Sequence, residues 1–382
     1  MLRSVRWTMQ KASLVTRVTP TLSVYLGWHF ILSFIGLLAV ISGLILLFDT
    51  IELMRRAVGD ENLPFATVLG MALLKMPHTV QAVLPFTVMI AMMFALFRLS
   101  RSHELVVMRS AGVSVWQFLA PALILAGLLG VLNLVAIDPL AATMYESYQR
   151  MDQTLLRKNA ASLNIGKAGL WLREERDNRG VVVHAATVRQ DGGALQLSDV
   201  SIFRTDASEK FEGRYNAEKG ELAGGQFRLR NVWDMEPGRP AIFRDTLDLP
   251  TAITFQQVEN SFAPPETLSF WELPAFIKFS RASGFSALPH RLYWHSLLAT
   301  PFLLCAMVLV ASVFFLTSNA RLAGWTARGI AGVSTGFLFY FFSRFTYALG
   351  LSATLPLALA AWAPTAVAGL LGLAYLFHRE DG

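Results

Sequence analysis

Cysteine and charged residues are both scarce in this sequence. Its 382 residues include one cysteine, Cys305, so an intramolecular disulfide is excluded. Charged residues make up 16% and hydrophobic residues 54% of the chain, whereas a soluble domain usually carries about 25% charged residues. The composition therefore predicts a membrane protein. We interpret the net charge of +6 first as a topology signal, because no basic patch interleaved with aromatic residues indicates nucleic-acid binding.

The motifs of nucleotide-binding and metal-dependent enzymes are also missing. Gly166-Lys167 is followed by Ala168, and no glycine stands five residues before Gly166, so this pair does not belong to a Walker A loop. The sequence contains no HExxH motif, and its seven histidines are scattered. We therefore expect a chain that is not an enzyme and holds no cofactor or metal of its own.

Long apolar runs, in contrast, occupy much of the chain. A bilayer core about 30 Å thick requires roughly 20 apolar residues of helix. Six segments are predicted as transmembrane helices: 22–48, 65–97, 113–137, 292–316, 329–351 and 353–377. The basic N-terminus precedes a run that is too long for a signal peptide, so we expect it to stay as an anchor. The first three spans form an N-terminal membrane half, 1–137, and the last three spans form a C-terminal membrane half, 292–382.

The distribution of arginine and lysine predicts the orientation of these spans. The positive-inside rule places the segments richest in these residues in the cytoplasm. With a cytoplasmic N-terminus, the inside segments hold Arg3, Arg6, Lys11, Arg17, Arg98, Arg101, Arg109, Arg321, Arg328 and Arg379. The outside loop 49–62 contains Arg55 and Arg56 but also four acidic residues. Both termini are therefore predicted to be cytoplasmic, and residues 138–291 to lie outside.

This outside insert has the pattern of a β domain. Segments such as "ALQLSDVSIFRT" (194–205) and "QFRLRNVWDM" (226–235) alternate apolar and polar residues, and glycine-rich turns separate them. Short strands spaced in this way predict an antiparallel sandwich or jelly roll over residues 138–265. Residues 266–291 follow as an amphipathic helix and linker, because "ETLSFWELPAFIKFSRASGF" has apolar residues at helical spacing.

A short charged segment, about 101–112, lies between the second and third spans on the cytoplasmic side. Leu105, Val106 and Met108 give it an apolar side, and Gly112 can end its helix. It is either a turn whose arginines bind anionic lipid or a coupling helix that docks into a partner ATPase. Glu104 favours the second interpretation, because lipid gains nothing from an acid. The candidate coupling residues are Arg101, His103, Glu104, Leu105, Met108, Arg109 and Gly112.

The same segment carries a family resemblance. "RSHELVVMRSAGVS" closely resembles the Glu-Leu-Val-Val-Met segment of the lipopolysaccharide export permeases. The resemblance extends over nearly the whole chain, in the order of spans, β insert, "LSFWELPAFIKFSRASGF" helix and "GVSTGFLFYFFSR" span. Between the two paralogous subunits, "FDTIELMRRA" and the C-terminal segment resemble the G-type more than the F-type. The Gly332-to-Gly336 pattern within the fifth span hints at close helix packing.

The resemblance implies a transport complex. In this family the permease pairs with an F-type paralogue on two copies of the cytoplasmic ATPase LptB, which uses ATP and magnesium. The complex extracts lipopolysaccharide from the bacterial inner membrane and passes it through β-jelly-roll domains to the periplasmic bridge protein LptA. A partner, LptC, regulates a lateral gate. The first and fifth spans, 22–48 and 329–351, are then expected to form gates, and the β domain to be periplasmic.

An exporter of lipopolysaccharide needs cations for the anionic phosphates of its substrate. The candidates are Arg55, Arg56, Lys75, His78 and Arg344. Lys75, His78 and Gln81 share one face of the second span. His78 stands where the family often has a lysine, and residues 44–49 lack the basic residue often found there. Arg55 and Arg56 are alternatively an interfacial pair balanced by Glu52, and Arg344 lines a gate, pairs with a partner or snorkels to the interface.

Two other functions are compatible with a membrane-anchored β domain. A secondary transporter would be expected to show buried paired charges and inverted repeats, and neither is visible in the sequence. A scaffold whose outer domain binds other proteins would not need Glu104. Co-purification distinguishes these functions, because an exporter subunit brings down an ATPase and a paralogue.

The predicted topology can be tested with single cysteines. Cysteines placed at Asp206 and Arg55 are expected to react with an impermeant thiol reagent added outside intact cells, because both positions lie on the outer side. A cysteine at Ser102 is expected to stay unlabelled until the cells are opened. Labelling of position 102 from outside would contradict the orientation.

Overall fold

The structure is a computed structural model that describes ten stretches of the chain. They are residues 20–57, 64–156, 163–166, 169–176, 179–191, 194–205, 211–251, 263–282, 285–315 and 325–380. The basic residues of the predicted N-terminal cytoplasmic segment, Asp206 and Arg321 lie outside the described residues.

Two long helices begin the described chain. Helix α1 runs from Pro20 to Ala57 and helix α2 from Phe65 to Arg101. Helix α1 is longer than the predicted span 22–48, so Arg55 and Arg56 lie on its last turns and not in a loop. Glu52 explains this extension, because it pairs with Arg55 at i+3 and with Arg56 at i+4, and such pairs support a helix.

The third predicted span belongs to a much longer helical segment. Helix α4, Val115–Leu132, begins with a capping box, in which the Ser114 hydroxyl accepts from the Gln117 backbone and the Gln117 side chain accepts from the Ser114 backbone. A π-helical turn, Asn133–Ile137, leads into α5, Asp138–Met151, and a second one follows, Asp152–Leu156. Residues 138–156, predicted as the start of the β domain, are therefore helical.

The described part of the β domain contains seven antiparallel strands. They are β1, Leu163–Gly166; β2, Gly169–Arg176; β3, Arg179–Asp191; β4, Ala194–Thr205; β5, Phe211–Ala223; β6, Gln226–Met235; and β7, Ile242–Pro250. Each strand pairs with the next in the chain. The described strands thus have meander order, whereas a jelly roll combines two sheets through Greek-key connections. The antiparallel β domain is confirmed, and the jelly-roll form is not.

The alternation seen in the sequence corresponds to one buried face of this sheet. Side chains from six strands form a single apolar cluster that includes Leu197, Ile202 and Leu229. Phe285, which lies after the sheet in the chain, belongs to the same cluster. It joins the β domain to the segment that leads into the next membrane helix.

The C-terminal half consists of helices connected by short segments. A 3₁₀ turn, Pro265–Thr267, precedes α6, Leu273–Ala282. Three long helices follow: α7, Leu288–Phe315; α8, Trp325–Leu351; and α9, Leu357–Glu380. The amphipathic segment predicted over 266–285 thus holds a helix of 10 residues.

Five described helical segments are long and apolar enough to cross a membrane. They are Thr21–Ala57, Phe65–Arg101, Val115–Leu155, Leu288–Phe315 and Leu357–His378. They correspond to five of the six predicted spans. Helix α8, the predicted fifth span, is not among them, because Arg344 and several glycine, serine and threonine residues lower its hydropathy.

The helices are packed to very different degrees. The buried share of the most apolar stretch of each helix is 50% in α2, 56% in α7 and 11% in α1. The main core cluster combines side chains of α1, α2, α4, α7 and α9, and α8 adds only the partly buried Phe339. Helices α2 and α7 are therefore central, and α1 and α8 are peripheral.

Helix α8 packs against α2 through the two glycines noted in the sequence. A Cβ atom on Gly332 would overlap the side chain of Met93, and one on Gly336 would overlap that of Met89. The close packing that this pattern indicated is confirmed. Residues 332–336 also spell G-x-S-x-G, but they lie within a continuous helix, whereas a nucleophile elbow requires a strand-to-helix turn.

The contact between α4 and α7 gives a stability prediction. A Cβ on Gly130 would overlap the backbone of Pro301, and backbone cannot move aside as a flexible side chain does. Gly130→Ala is expected to lower stability by about 1–3 kcal/mol through overpacking. The matched control is Gly36→Ala, because a Cβ on Gly36 meets nothing within 4 Å. Thermal unfolding in detergent measures both variants, and equal stability of the two would contradict this packing.

Candidate functional site

The predicted coupling segment forms a short helix at one end of the bundle. Helix α3 runs from Glu104 to Ser110. His103 has left-handed backbone geometry, with φ 64°, and Gly112 has φ 82°. The left-handed residue separates α3 from α2, so Arg101 is the last residue of α2 and not part of the predicted helix 101–112. Gly112 ends the segment as predicted, because glycine adopts this geometry without strain.

The apolar residues of α3 face two ways. Leu105 and Met108, predicted to contact the ATPase, are half-buried and pack against the protein's own core. Val106 and Val107 are each 63% exposed instead. The outward surface, called the coupling surface below, consists of the exposed residues His103, Val106, Val107, Arg109 and Ser110. The predicted apolar side of Leu105, Val106 and Met108 is thus divided between two surfaces, because the sequence of a seven-residue helix does not specify which side meets the bundle. Contact of these residues with an ATPase stays a prediction.

Glu104 has a partner within its own chain. The Tyr25 hydroxyl on α1 donates a hydrogen bond of 2.8 Å to Glu104 Oε2. This hydrogen bond holds the pKa of the Glu104 carboxyl below its usual value. The Tyr25 ring also lies 4.3 Å from the ring of His29, which orients it. The acid thus links α3 to α1, a role that sequence analysis missed because the two residues are far apart in the chain.

A second charged region lies at the far end of α1. Both arginines there bind the same acid: Arg55 reaches Glu52 at 2.7 Å and Arg56 reaches it at 2.9 Å. Lys75 of α2 forms an ion pair of 2.7 Å with Asp49 of α1. Asp49 was counted only as a loop acid in the sequence, because α1 was predicted to end at residue 48.

The five predicted substrate residues, called the outer basic cluster, come together in one region. The Arg56 guanidinium lies near the Tyr148 side chain, and the Lys75 ammonium is 6.0 Å from the centre of the Tyr148 ring. Lys75 and Arg344 both lie near the His78 ring. The structure thus connects the cluster members, which are Arg55, Arg56, Lys75, His78 and Arg344.

The polar face of α2 is covered by the third helical segment. The His78 ring stacks on Tyr145 at 4.4 Å, and Gln81 donates a hydrogen bond of 3.1 Å to Asn133. Asn133 is buried and begins the first π-helical turn. The face predicted from the spacing of Lys75, His78 and Gln81 is therefore real, and it contacts α5 and the adjoining π-helical turn.

Arg344 is an exposed member of the cluster. Its guanidinium lies 5.3 Å from the centre of the Tyr340 ring, one turn earlier on α8. It is also near Glu266 in the 3₁₀ turn: burial raises the pKa of the Glu266 carboxyl, and the Arg344 charge opposes this rise. Glu266 was not singled out in the sequence, since it belongs to a segment assigned only as an amphipathic helix.

The segment that carries Glu266 is fastened to the bundle. The buried Asp138 carboxylate accepts a hydrogen bond of 2.8 Å from the Phe270 backbone, and the Phe270 ring stacks on Trp294 of α7 at 5.9 Å. These contacts place the chain leaving the β domain next to the outer basic cluster. Among the described residues, no group of three or more His, Cys, Asp or Glu could hold a metal ion.

Fold and site together define a polytopic membrane protein with an inserted β domain and a charged region at each end of its first helix. The family "Lipopolysaccharide export system permease LptF/LptG" matches residues 24–379. LptG of Escherichia coli strain K12 is 24% identical over 314 residues, which are 81% of this chain and 84% of the relative. LptG of Haemophilus influenzae is 23% identical over 332 residues, 84% and 88% of the two chains.

The chain belongs to the LptF/LptG family of lipopolysaccharide export permeases. The resemblance found in the sequence is therefore confirmed, and both relatives described above are LptG, the subunit type that the sequence resembled more.

The link between α3 and α1 gives a third prediction. Tyr25→Phe removes the hydroxyl that binds Glu104 but keeps the ring beside His29. Because an intramolecular hydrogen bond contributes about 0.5–1.5 kcal/mol, the amides of residues 104–110 are expected to exchange with deuterium several-fold faster.

The control is Ser110→Ala, which removes a hydrogen bond made within α3 itself, to the Val107 carbonyl. It is expected to affect exchange only around residue 110. Unchanged exchange of the first turn of α3 in Tyr25→Phe would show that Tyr25 does not hold this helix.

Proposed function

We propose that this chain is the G-type permease subunit of an ATP-driven machine that extracts lipopolysaccharide from the inner membrane. The observation that supports it most is the family match, which extends over residues 24–379. The chain provides the membrane path, and a separate cytoplasmic ATPase hydrolyses ATP with magnesium.

The proposed topology has six spans, with α8 as the fifth. Its 27 residues are long enough to cross a bilayer core of about 30 Å at 1.5 Å per residue. Arg344 lies in the second half of α8, from which its long side chain can reach the interface. An even number of spans places both termini on one side, which the arginine distribution assigns to the cytoplasm. The β domain then lies in the periplasm.

The proposed lateral openings lie at α1 and α8. Both helices are peripheral and present large exposed apolar side chains, among them Ile35 and Val40 on α1 and Phe337 and Phe341 on α8. Such surfaces suit acyl chains, lipid or the facing helices of an F-type paralogue. In this assembly α1 and α8 contact the paralogue, LptC or the lipid being extracted.

The outer basic cluster is proposed to bind the phosphates of lipopolysaccharide. Cations in a poorly solvated region attract anionic groups more strongly than cations in water. Arg55, Arg56 and Lys75 already have carboxylate partners in the chain. Phosphate therefore has to compete with Glu52 and Asp49, while the exposed Arg344 needs less rearrangement. Arg344 is for this reason the first contact that we assign to the substrate.

The β domain is proposed to pass the lipid onward. Strand β7 is the last strand of the described sheet, and Ile242 and Phe243 on it are exposed. An edge strand can pair with a strand of another protein. LptC and the bridge protein LptA are the partners proposed for this edge, and a jelly-roll form of the domain stays a prediction.

The coupling surface is proposed to dock into one of two copies of LptB. Val106→Asp and Val107→Asp place a charge on the exposed apolar part of α3, and each is expected to weaken ATPase binding by about 2 kcal/mol or more, roughly thirtyfold. Arg101→Gln is the control, because Arg101 belongs to α2 and lies outside the coupling surface.

The measurement is co-purification of the tagged permease from membranes, followed by ATP-dependent release of lipopolysaccharide from vesicles. The wild-type chain is expected to retain an ATPase and a paralogue and to release the lipid. The aspartate variants are expected to keep the paralogue and lose the ATPase. A wild-type chain that retains neither protein would refute the proposed function, and normal ATPase binding by both aspartate variants would refute the proposed docking surface.

A further inference from the structure

Three cations at the outer ends of α1 and α2 have carboxylate partners, but the pairs differ in what they connect. Arg55 and Arg56 bind Glu52 within α1, at spacings of three and four residues. Lys75 binds Asp49 across two helices, with its Nζ atom 2.7 Å from Asp49 Oδ1. Loss of the Glu52 pairs therefore leaves the helices where they are, whereas loss of the Asp49 pair removes a link between α1 and α2.

This link matters because the outer half of α1 is loosely packed: after Phe34, the next buried residue of the helix is Leu53. Only 11% of its most apolar window is buried, the lowest fraction among the five span candidates. Near Asp49, the apolar contact comes from Leu53, which is 2% exposed and packs with Met71, Ala72 and Tyr148. The ion pair lies beside this small cluster, at the end of α1 that would have to move for the bundle to open sideways.

The Asp49 carboxylate is held from one side only. Its Oδ1 atom accepts from Lys75, while its Oδ2 atom is buried and has no hydrogen-bond partner among the described residues. A buried carboxylate oxygen without a donor is unfavourable. The Asp49 side chain is 15% exposed and the Lys75 side chain 26% exposed, so solvent screens the pair incompletely. The contact is strong enough to fasten α1 but lacks the second bond that would make the carboxylate hard to displace.

Lys75 is also well placed to exchange one anion for another. An ammonium group has three donors, of which Asp49 takes one. Its neighbours Tyr148 and His78 belong to or adjoin the outer basic cluster. A phosphate arriving at this cluster can therefore bind Lys75 in place of the carboxylate without leaving the ammonium unpaired.

We propose that Asp49 is an internal counter-ion that occupies Lys75 and fastens the outer end of α1 to α2 until a lipid-borne phosphate replaces it. Binding of the phosphate frees Asp49 and so releases α1. This contact between Asp49 and Lys75 is called the clasp below. The clasp is inferred from the geometry of the pair alone, whereas the identity of the displacing anion rests on the proposed function. Asp49 is thus a positioning residue for α1 and a competitor of the substrate.

The clasp is tested by the distance between α1 and α2. Spin labels at Phe48 and Leu73, which are both exposed, report this distance in the full complex in lipopolysaccharide-free nanodiscs. The wild-type chain is expected to give one narrow distribution, and Asp49→Asn a broad one shifted to longer distances. Glu52→Gln is the matched control and is expected to resemble the wild type, because its pairs lie within α1.

The exchanged pair, Asp49→Lys with Lys75→Asp, keeps the test valid if a single variant folds poorly. It is expected to restore the narrow distribution, since attraction between the two positions is regained. Equal distributions for wild type and Asp49→Asn, or a broad one for the exchanged pair, would refute the clasp.

Displacement is tested by adding anions to the wild-type complex. Lipopolysaccharide is expected to broaden the distribution, and inorganic phosphate at the same phosphate concentration is expected to leave it narrow. Broadening by inorganic phosphate would refute the assignment to a lipid-borne phosphate. Failure of both to change the distribution would refute displacement.

Competition between Asp49 and lipopolysaccharide is measured by photocrosslinking. A photoreactive residue at His78 is expected to crosslink lipopolysaccharide about fivefold more in Asp49→Asn than in the wild type, the lower end of typical coupling between two binding events. Glu52→Gln frees Arg55 and Arg56 but leaves Lys75 paired, so it is expected to raise crosslinking at this position less than Asp49→Asn does. Absence of crosslinking in every variant would refute substrate binding by the cluster. The α1–α2 distances measured without lipopolysaccharide would still show whether Asp49 fastens α1 to α2.

Discussion

Polar side chains inside a membrane bundle must find partners within the protein, because hydrocarbon offers none. Helix α2 shows the consequence of this constraint. Lys75 meets Asp49 of α1, His78 stacks on Tyr145 of α5, and Gln81 binds Asn133. One polar face of α2 thus determines which helices surround it at this depth and where they stand along its length.

The central position of α2 leaves α1 and α8 at the periphery. Helix α8 approaches α2 through Gly332 and Gly336, where missing side chains allow close contact with Met93 and Met89. Helix α1 contributes Leu26, Phe30 and Phe34 to the main core, whereas its outer half is held by Leu53 and by the ion pair between Asp49 and Lys75. The outer half of α1 can therefore change position with less disruption of the main core than its inner half.

Helix α1 also connects the two charged regions of the protein, one at each of its ends. Glu104 in α3 contacts the first turns of α1, and the outer basic cluster includes residues of its last turns. A displacement of α3 would therefore act on the same helix that contributes to the outer cluster. The 38 residues of α1 thus connect the two regions within one continuous helix.

The sequence alone was sufficient for the features that depend on local pattern and composition. Apolar runs predicted five spans that the structure contains, alternation predicted the antiparallel strands, and "RSHELVVMRSAGVS" indicated the family. The shared face of Lys75, His78 and Gln81 also followed from helical spacing. These properties are encoded within a few turns or strands, so neighbouring residues suffice to predict them.

The partners of the charged residues were decided only by the tertiary structure. The sequence placed Leu105, Val106 and Met108 on one apolar side of α3, but Leu105 and Met108 are half-buried against the bundle while Val106 and Val107 are exposed. Likewise, Glu104 and Lys75 were interpreted as available for partners, whereas Tyr25 and Asp49, distant in the chain, occupy them. Helical periodicity determines which residues share a face, but which face meets which neighbour depends on the packing of whole helices.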